Sequence, residues 1–309
     1  MKNPYGYIPE KVNLEDAVYG AIFQSAGEKP FNWNPYLPPR ERQYSIPFCV
    51  SFSRLNCAEA MGRRAGLELN LSDRHLGVIS GTTKNGNTLV QVSESFRKDG
   101  VVKEFVCPWE GDMLYLGTED ENWRKIFDLS AVPATARRYK GGNHSWVDYW
   151  NIQLMKEALA YSPLQLTCPV YDNWEQSEVV DASRVGTALR GYHAITCYYI
   201  DDYIYIQDSI GREFKKLTLD YPLTGCKSFR DLPDNWKDLN NMTMFELIRK
   251  DNSVDVFAIK DNKRHLILNG QTFSRGIELG MWKKEIQTVS EAKFNSYQEG
   301  YVFVLPDSF

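Results

Sequence analysis

The hydrophobic pattern of the 309-residue chain changes its period at Pro163, and this change limits the folds that the chain can adopt. Before Pro163, apolar residues recur at the three- and four-residue spacing of amphipathic helices. After it, short runs rich in β-branched and aromatic residues alternate between apolar and polar, which is typical of strands. Helices followed by strands predict an α+β arrangement of two lobes, because a parallel sheet needs strands and helices to alternate.

Three helices are predicted before and around the change of period. The first starts next to Pro47 and ends near Gly66, and the others extend over about 88–99 and 146–161. Cys49 therefore falls in the first turn of a helix. The positive end of a helix dipole stabilises an anion such as a thiolate, so Cys49 is a candidate nucleophile.

Two of the predicted strands, 193–200 and 203–207, flank an Asp-Asp turn and form a tight hairpin. A further strand is predicted over 164–170. The hairpin makes His193 and Asp208 diagonal neighbours on one face, about 7–8 Å apart between backbones. A carboxylate at that distance can accept the imidazole N–H and fix the tautomer and orientation of the ring.

Short motifs surround these three residues: Cys49-Val-Ser-Phe52, Gly191-Tyr-His-Ala194 and Gln207-Asp-Ser-Ile-Gly211. They resemble the Cys-Trp-Ala-Phe, Gly-x-His-Ala and Lys-Asn-Ser-Trp-Gly motifs of the papain family of cysteine peptidases. Cys49 precedes His193 by 144 residues, and the papain-like spacing of nucleophile and histidine is about 130–150 residues. The resemblance covers about 36–230.

The resemblance implies a papain-like two-lobe fold, in which a helical lobe faces an antiparallel β-barrel lobe, and the activity of a cysteine peptidase. In that comparison Cys49 is the nucleophile, His193 the general base and Asp208 the residue that orients the histidine. Gln43 lies six residues before Cys49, at the position of the family's glutamine that donates to the oxyanion. Such a donor is worth about 3–4 kcal/mol in the transition state.

The resemblance also implies a groove for an extended polypeptide substrate. Gly86 and Asn87 lie where the family has its glycine-rich substrate loop, and Gly86 is expected to bond the main chain of the substrate. Asn87 breaks the glycine pair of that loop. Tyr192 and Ala194 flank the histidine and are expected to wall the pocket for the side chain next to the scissile residue. No cofactor and no metal are implied by this chemistry.

The sequence departs from the family pattern around the expected site. Val50 replaces the tryptophan after the nucleophile, Ile46 a cysteine that forms a disulfide, and Ile210 the tryptophan that shields the orienting residue. Asp208 replaces an asparagine. Its full charge favours the imidazolium and so the thiolate pair, but it also makes the imidazolium a weaker acid toward the leaving group.

The remaining segments predict additions to a catalytic domain at 46–235, whose helical lobe covers about 46–135 and whose β lobe covers about 160–235. Residues 1–45, rich in proline and aromatic residues, are predicted to form an extended strap over a domain surface. Residues 240–309 return to strand-like alternation with glycines, which predicts a small β-rich module.

Composition and charge argue against other classes of protein. The net charge of −4 provides no basic field for a nucleic acid, and no apolar run approaches the roughly 18 residues of a membrane span. The first residues lack the apolar core of a signal peptide, so we expect a cytoplasmic or virion-associated protein. The six widely spaced cysteines are accordingly expected to be free thiols.

Two alternatives to a peptidase stay open. Papain-like chains that have no disulfide and carry an additional β-rich module are of a type that bacteriophage and bacterial genomes encode. The first alternative is therefore a papain-fold structural or binding component of a phage virion or tail, with other virion or tail proteins as partners. The second is a murein amidase or a transglutaminase-like enzyme, although their cysteine-to-histidine spacing is usually much shorter.

Overall fold

The structure is a computed structural model that describes most of the chain. The described residues are 4–11, 30–109, 119–134, 136, 138–172, 174–182, 188–230, 236–237, 246–260, 263–270, 272–274 and 285–303. Residues 1–3 and 12–29 of the predicted strap lie outside them. The chain divides into two compact units, Met1–Gly66 with Asn70–Pro233 and Leu67–Leu69 with Asp234–Phe309. Every candidate site residue therefore belongs to the first unit.

The first part of this unit has four α-helices within the described residues. They are α1 (Cys49–Arg64), α2 (Asp73–Ile79), α3 (Leu89–Lys98) and α4 (Glu119–Phe127). Helix α1 begins at Cys49, and α3 lies within one residue of its predicted bounds. Phe48 and Phe52 pack with Trp109 and Trp123 in one apolar cluster. This cluster anchors the start of α1, where the candidate nucleophile lies.

The prediction of a single helix over 146–161 is wrong. The structure has a strand followed by a shorter helix, β1 (His144–Trp146) and α5 (Ile152–Ala158). Trp146 pairs with Lys227 in an antiparallel ladder, and the Asn151 side chain accepts a hydrogen bond from the Leu154 N–H. An Asn side chain in that position caps a helix start, so the helix cannot continue backward through it.

The second part of the unit is a sheet that has seven strands within the described residues, in the order β1-β7-β2-β4-β5-β6-β3. Its other strands are β2 (Leu164–Tyr171), β3 (Val179–Val180), β4 (Leu189–Ile200), β5 (Tyr203–Gln207), β6 (Phe214–Thr218) and β7 (Gly225–Phe229). The described pairs are antiparallel except for β3 with β6. Cys57 and Ala60 of α1 and Met155 of α5 pack with the apolar face of the sheet in one core.

The predicted hairpin is confirmed in β4 and β5. Thr196 pairs with Gln207 and Cys197 with Ile206, which is the register expected from the sequence. An irregularity after Cys197 shifts the pairs nearest the turn by one residue. Because this shift lies on the turn side, residues 193 and 208 keep the relation that the register predicts.

The second unit is rich in strands, as the sequence of 240–309 predicts. Its described strands form one sheet in the order β11-β8-β9-β10-β12. Their bounds are β8 (Glu246–Lys250), β9 (Val256–Lys260), β10 (Lys263–Ile267), β11 (Gln287–Val289) and β12 (Gln298–Phe303), with a helix α6 (Glu291–Asn295). In the described part of the chain, no helix combines the length and the apolar composition that a bilayer span requires.

Three carboxyl groups are buried in the helical part of the first unit, those of Glu59, Asp73 and Glu104. Burial and the nearby charge of Glu41 raise the pKa of each of them well above its ordinary value. A raised pKa means that the native state binds these protons more tightly than the unfolded chain does. Their contribution to stability is therefore present at acidic pH and is lost as the pH rises through the raised pKa values.

The substitution Glu59→Gln tests this effect. Glu59 Oε1 accepts the Leu71 N–H at 2.5 Å, and a glutamine oxygen can keep that bond without a buried charge. We expect the variant to have a higher Tm than the wild type at pH 8 and an equal Tm near pH 4. A change of 1 kcal/mol in the free energy of unfolding shifts the Tm of a domain of this size by about 2–4 °C. Thermal unfolding followed by circular dichroism checks this expectation, and a Tm below that of the wild type at pH 8 contradicts it.

Candidate active site

Cys49 is the first residue of α1, directly after Pro47 and Phe48. Its N-cap Phe48 makes no side-chain capping bond, so no side chain at that position competes for the positive end of the helix. Burial raises the pKa of the Cys57 thiol, two turns deeper in the same helix, to about 12. A thiol that is held neutral in this way is inert, whereas the start of a helix stabilises an anion.

The hairpin brings His193 and Asp208 into direct contact. His193 Nε2 lies 2.7 Å from Asp208 Oδ1, and both side chains are fully buried. Asp208 Oδ1 also accepts the Ile210 N–H at 2.9 Å. Arg40 donates to the main-chain oxygens of Asp208 and Gly211 at 3.0 and 2.6 Å, which holds the chain after β5 in place.

The Cys49 thiol is near enough to His193 to influence its pKa. Burial acts to lower the pKa of His193, but the charge and hydrogen bond of Asp208, together with the interaction with the Cys49 thiol, raise it to about 9. His193 Nδ1 has no hydrogen-bond partner among the described residues. The distance between a nucleophile and its base is often longer than a hydrogen bond before a substrate binds.

Two residues that the sequence analysis missed complete the surroundings of Asp208. The Trp174 indole N–H donates to Asp208 Oδ2 at 2.7 Å, and the ring lies edge-on to His193 at a centroid distance of 6.0 Å. The Lys215 ammonium, also fully buried, donates to the same oxygen. Lys215 had a signal in the sequence, because the alternation in β6 puts it on the same face as the buried Leu217.

Gln43 is buried between the start of α1 and the turn after β5. Its amide nitrogen donates to the carbonyl oxygens of Ile46 at 2.7 Å and Pro4 at 2.8 Å. Its amide oxygen accepts from the Ser209 hydroxyl at 2.6 Å, which fixes the orientation of the amide. The nitrogen thus binds a main-chain carbonyl from a distant segment, the kind of group whose oxygen an oxyanion donor must hold.

Residues 4–11, here called the N-terminal segment, contact three of the residues that were predicted to bind a substrate. Asn87 N–H donates to Gly6 O at 2.8 Å, and Tyr7 N–H donates to Tyr192 O at 3.1 Å. Gly86 has a φ of +100°, and a Cβ there would lie 1.6 Å from Gly6 O, so only glycine allows this close approach. Main-chain groups of Asn87 and Tyr192 therefore bond the N-terminal segment of the chain itself.

The predicted groove side chains have different surroundings. The Asn87 side chain is turned inward and donates to Ser80 and Thr82. Ala194 is buried next to His193 and pairs with Thr167 of β2. Asn87 and Tyr192 thus contact the N-terminal segment through their main chains, whereas Ala194 lies within the sheet.

The N-terminal segment also covers the candidate catalytic residues. The Tyr5 ring lies edge-on to His193 at a centroid distance of 5.5 Å, and its hydroxyl donates to Glu175 at 3.0 Å. Gly6 lies against Pro47, with a hypothetical Cβ only 2.2 Å from Pro47 O. Glu10 accepts the Leu89 N–H at 2.6 Å at the start of α3. Cys49 and His193 are consequently both fully buried.

Comparison with solved structures identifies this architecture. The chain is 18% identical to xylellain, a cysteine protease from Xylella fastidiosa, with a TM-score of 0.56 over 75% of this chain and 97% of that one. It is 15% identical to the cysteine protease and lectin-like domains of Cwp84, a surface layer associated protein of Clostridium difficile, with a TM-score of 0.57 over 83% of this chain and 61% of that one. It is 12% identical to proCathepsin B S9 from Trypanosoma congolense, with a TM-score of 0.54 over 75% of this chain and 88% of that one.

The chain has a papain-like α+β fold. No family model matches the sequence, and no curated protein is significantly similar to it. The similarity is therefore one of fold, and roles for individual residues rest on the geometry of the site. Cys49, Cys57, Cys168, Cys197 and Cys226 form no disulfide in this fold. Trp174, from the chain between β2 and β3, donates to Asp208. Ile210 stands at the position where the resemblance to the papain family implies a shielding tryptophan.

The covering by the N-terminal segment predicts a slow reaction of Cys49 with thiol reagents. Gly6→Ala places a methyl group against the main chain of Pro47, and deletion of residues 2–11 removes the covering chain. We expect both variants to alkylate Cys49 with iodoacetamide at least about tenfold faster, the effect of 1.4 kcal/mol in the closing equilibrium. Peptide mapping by mass spectrometry measures the rate.

Ile8→Ala is the matched control, because the Ile8 side chain is 38% exposed and its N–H bond to Asn87 O involves only main chain. It should alkylate at the wild-type rate. If all three variants react like the wild type, the N-terminal segment does not limit access to Cys49.

Proposed function

We propose that the protein is a cysteine peptidase in which Cys49, His193 and Asp208 form the catalytic triad. The observation that carries the proposal is the 2.7 Å contact between His193 Nε2 and Asp208 Oδ1, in a ring whose pKa the Cys49 thiol also influences. This is the order of nucleophile, base and orienting group that thiol hydrolysis requires. The papain-like fold, shared with cysteine proteases, supports a hydrolase.

In the proposed mechanism, His193 holds the proton of the Cys49 thiol, and the thiolate attacks the carbonyl carbon of a peptide bond. The carbonyl π electrons move to the oxygen, which the Gln43 amide and the Cys49 N–H then stabilise. The C–N bond breaks as His193 gives its proton to the leaving amine, which leaves a thioester on Cys49. Water then attacks the thioester, His193 accepts its proton, and the acid product and the free thiol are released.

A polypeptide substrate is supported by what the groove already binds. Main-chain groups of Asn87 and Tyr192 bond an extended segment, and Gln43 Nε2 bonds the Pro4 carbonyl. These contacts read the peptide backbone and not particular side chains. The phage virion role and the amidase or transglutaminase role stay predictions from the sequence, because no specific contact in the described residues favours either.

Cys49→Ala tests the proposed nucleophile. Hydrolysis of a fluorogenic peptide library should fall by about 10⁴-fold or more, the usual effect of removing a member of a triad. Cys57→Ala is the matched control, since Cys57 lies on the same helix, is equally buried and has a raised pKa. Equal losses in the two variants, or an unaffected Cys49→Ala, exclude Cys49 as nucleophile.

The pH dependence of hydrolysis tests the role of His193. Because the Asp208 charge and the Cys49 contact outweigh burial and raise the pKa of His193 to about 9, the imidazolium persists through neutral pH. The leaving amine takes its proton from this imidazolium. We expect kcat/KM to stay level between about pH 7 and 8 and to fall as the pH rises through about 9. A fall centred near 6.5, the ordinary histidine value, contradicts the role of Asp208.

Gln43→Ala tests the proposed oxyanion donor. Removal of one such donor lowers kcat by about 10²–10³-fold with little change in KM. Because Gln43 also bonds Ile46 and Ser209 inside the fold, circular dichroism must show that the variant is folded. A folded variant with wild-type kcat argues against this role.

A further inference from the structure

The contacts of Lys215 connect it to the candidate triad. Lys215 lies in β6 opposite Ile206 of β5, and its side chain is fully buried. Its ammonium donates to Asp208 Oδ2 and, at 3.0 Å, to the carbonyl oxygen of Ile210. The nitrogen also lies 4.8 Å from the centre of the Trp174 ring, a distance at which a cation is attracted to the ring face.

The two oxygens of Asp208 serve different partners. Oδ1 faces His193 Nε2 and the Ile210 N–H, while Oδ2 faces Lys215 and the Trp174 indole N–H. Asp208 thus lies between an imidazole and an ammonium, both with no exposed surface. Charges in such surroundings are screened far less than at the surface, so each partner of the carboxylate influences the other.

A buried aspartate bound only by His193 would hold the imidazolium strongly and slow proton transfer to the leaving group. A cation on the other oxygen opposes this effect, because it offsets much of the negative charge that His193 experiences. Arg40 cannot replace it, since its described bonds go to the main-chain oxygens of Asp208 and Gly211 and not to the carboxylate. Lys215 is therefore the cation that lies in position to tune this pair.

We propose that Lys215 is a positioning residue of the proposed peptidase site, which holds Asp208 Oδ2 and moderates the charge that Asp208 presents to His193. The inference rests on the proposed function for its catalytic consequence. Lys215 touches neither a substrate nor a reacting atom and acts only through Asp208. Asp208 with Lys215 then takes the place of the neutral asparagine that the papain family has at this position.

The other charged or titratable groups around these three side chains come from several elements. Facing His193 are Cys49 of α1 and Tyr5 of the N-terminal segment, and facing Asp208 and Lys215 are Arg40 and Cys168 of β2. Burial raises the pKa values of Tyr5 and Cys168, so both stay neutral through the range of the test. Burial lowers the pKa of Lys215 while Asp208 opposes this effect, so the ammonium depends on its partner.

The experiment compares Lys215→Met, Asp208→Asn and the double variant in the full-length chain. Histidine ring signals are followed by NMR against pH, with His193 assigned by its loss in His193→Ala, and peptide hydrolysis is measured in parallel. For Lys215→Met we expect the His193 titration midpoint to move to higher pH and kcat/KM at pH 7 to fall about tenfold, mainly through kcat. The descending limb of the pH profile should move in the same direction as the titration.

The double variant separates charge from packing. Asp208→Asn alone leaves a buried ammonium without its partner, which is destabilising and moves the His193 midpoint to lower pH. In the double variant the side chains at positions 208 and 215 together have no net charge, as in the wild type. We expect hydrolysis at least about tenfold above that of Asp208→Asn, with a higher Tm. Lys215→Arg, which keeps the charge, should retain a wild-type titration midpoint.

Lys216→Met is the matched control, because Lys216 is the next residue of β6 and its ammonium faces Glu178 at 3.9 Å on the surface. It should change neither the titration nor hydrolysis. A wild-type His193 midpoint in Lys215→Met, or a double variant no better than Asp208→Asn, overturns the inference. The NMR result does not need turnover, so a chain that never hydrolyses peptides but shows the shifted midpoint refutes the proposed function and leaves the role of Lys215 standing.

Discussion

The buried carboxylate of Asp208 is the group on which the rest of the candidate site depends. An ionised carboxylate without exposed surface is costly unless donors surround it. Here the donors are His193 of β4, Lys215 of β6, Trp174 from the chain before β3 and the Ile210 N–H. Partners from separate strands and loops must meet at one side chain, so satisfying Asp208 also fixes the imidazole beside the start of α1.

The same arrangement relates the fold to its proposed chemistry. Helix α1 presents Cys49 at its positive end, and the β4–β5 hairpin presents His193 from the sheet. Between them the N-terminal segment makes main-chain bonds to Asn87 and Tyr192 and places a carbonyl on Gln43. The main-chain groups and the amide beside the candidate site are thus bonded by the chain's own N-terminal segment.

How much of this was predictable from the sequence depends on the distance over which each feature is determined. The contact between His193 and Asp208 follows from a local hairpin register, and the helix start at Cys49 follows from a local hydrophobic pattern. Trp174 reaches Asp208 through a stretch between strands that has no periodicity, so pattern reasoning could not place it. Lys215 was visible only as a charged residue at an inward strand position, and its partner depends on three-dimensional packing.

In the proposed reaction Cys49 carries the acyl group during hydrolysis, with His193 and Asp208 acting on it. Acid quenching of the protein during turnover of an ester or peptide substrate, followed by mass spectrometry of the intact chain and its peptides, tests this role. We expect a substrate acyl group attached as a thioester to Cys49 alone. Continued hydrolysis with no adduct, or with the adduct on another residue, would contradict it.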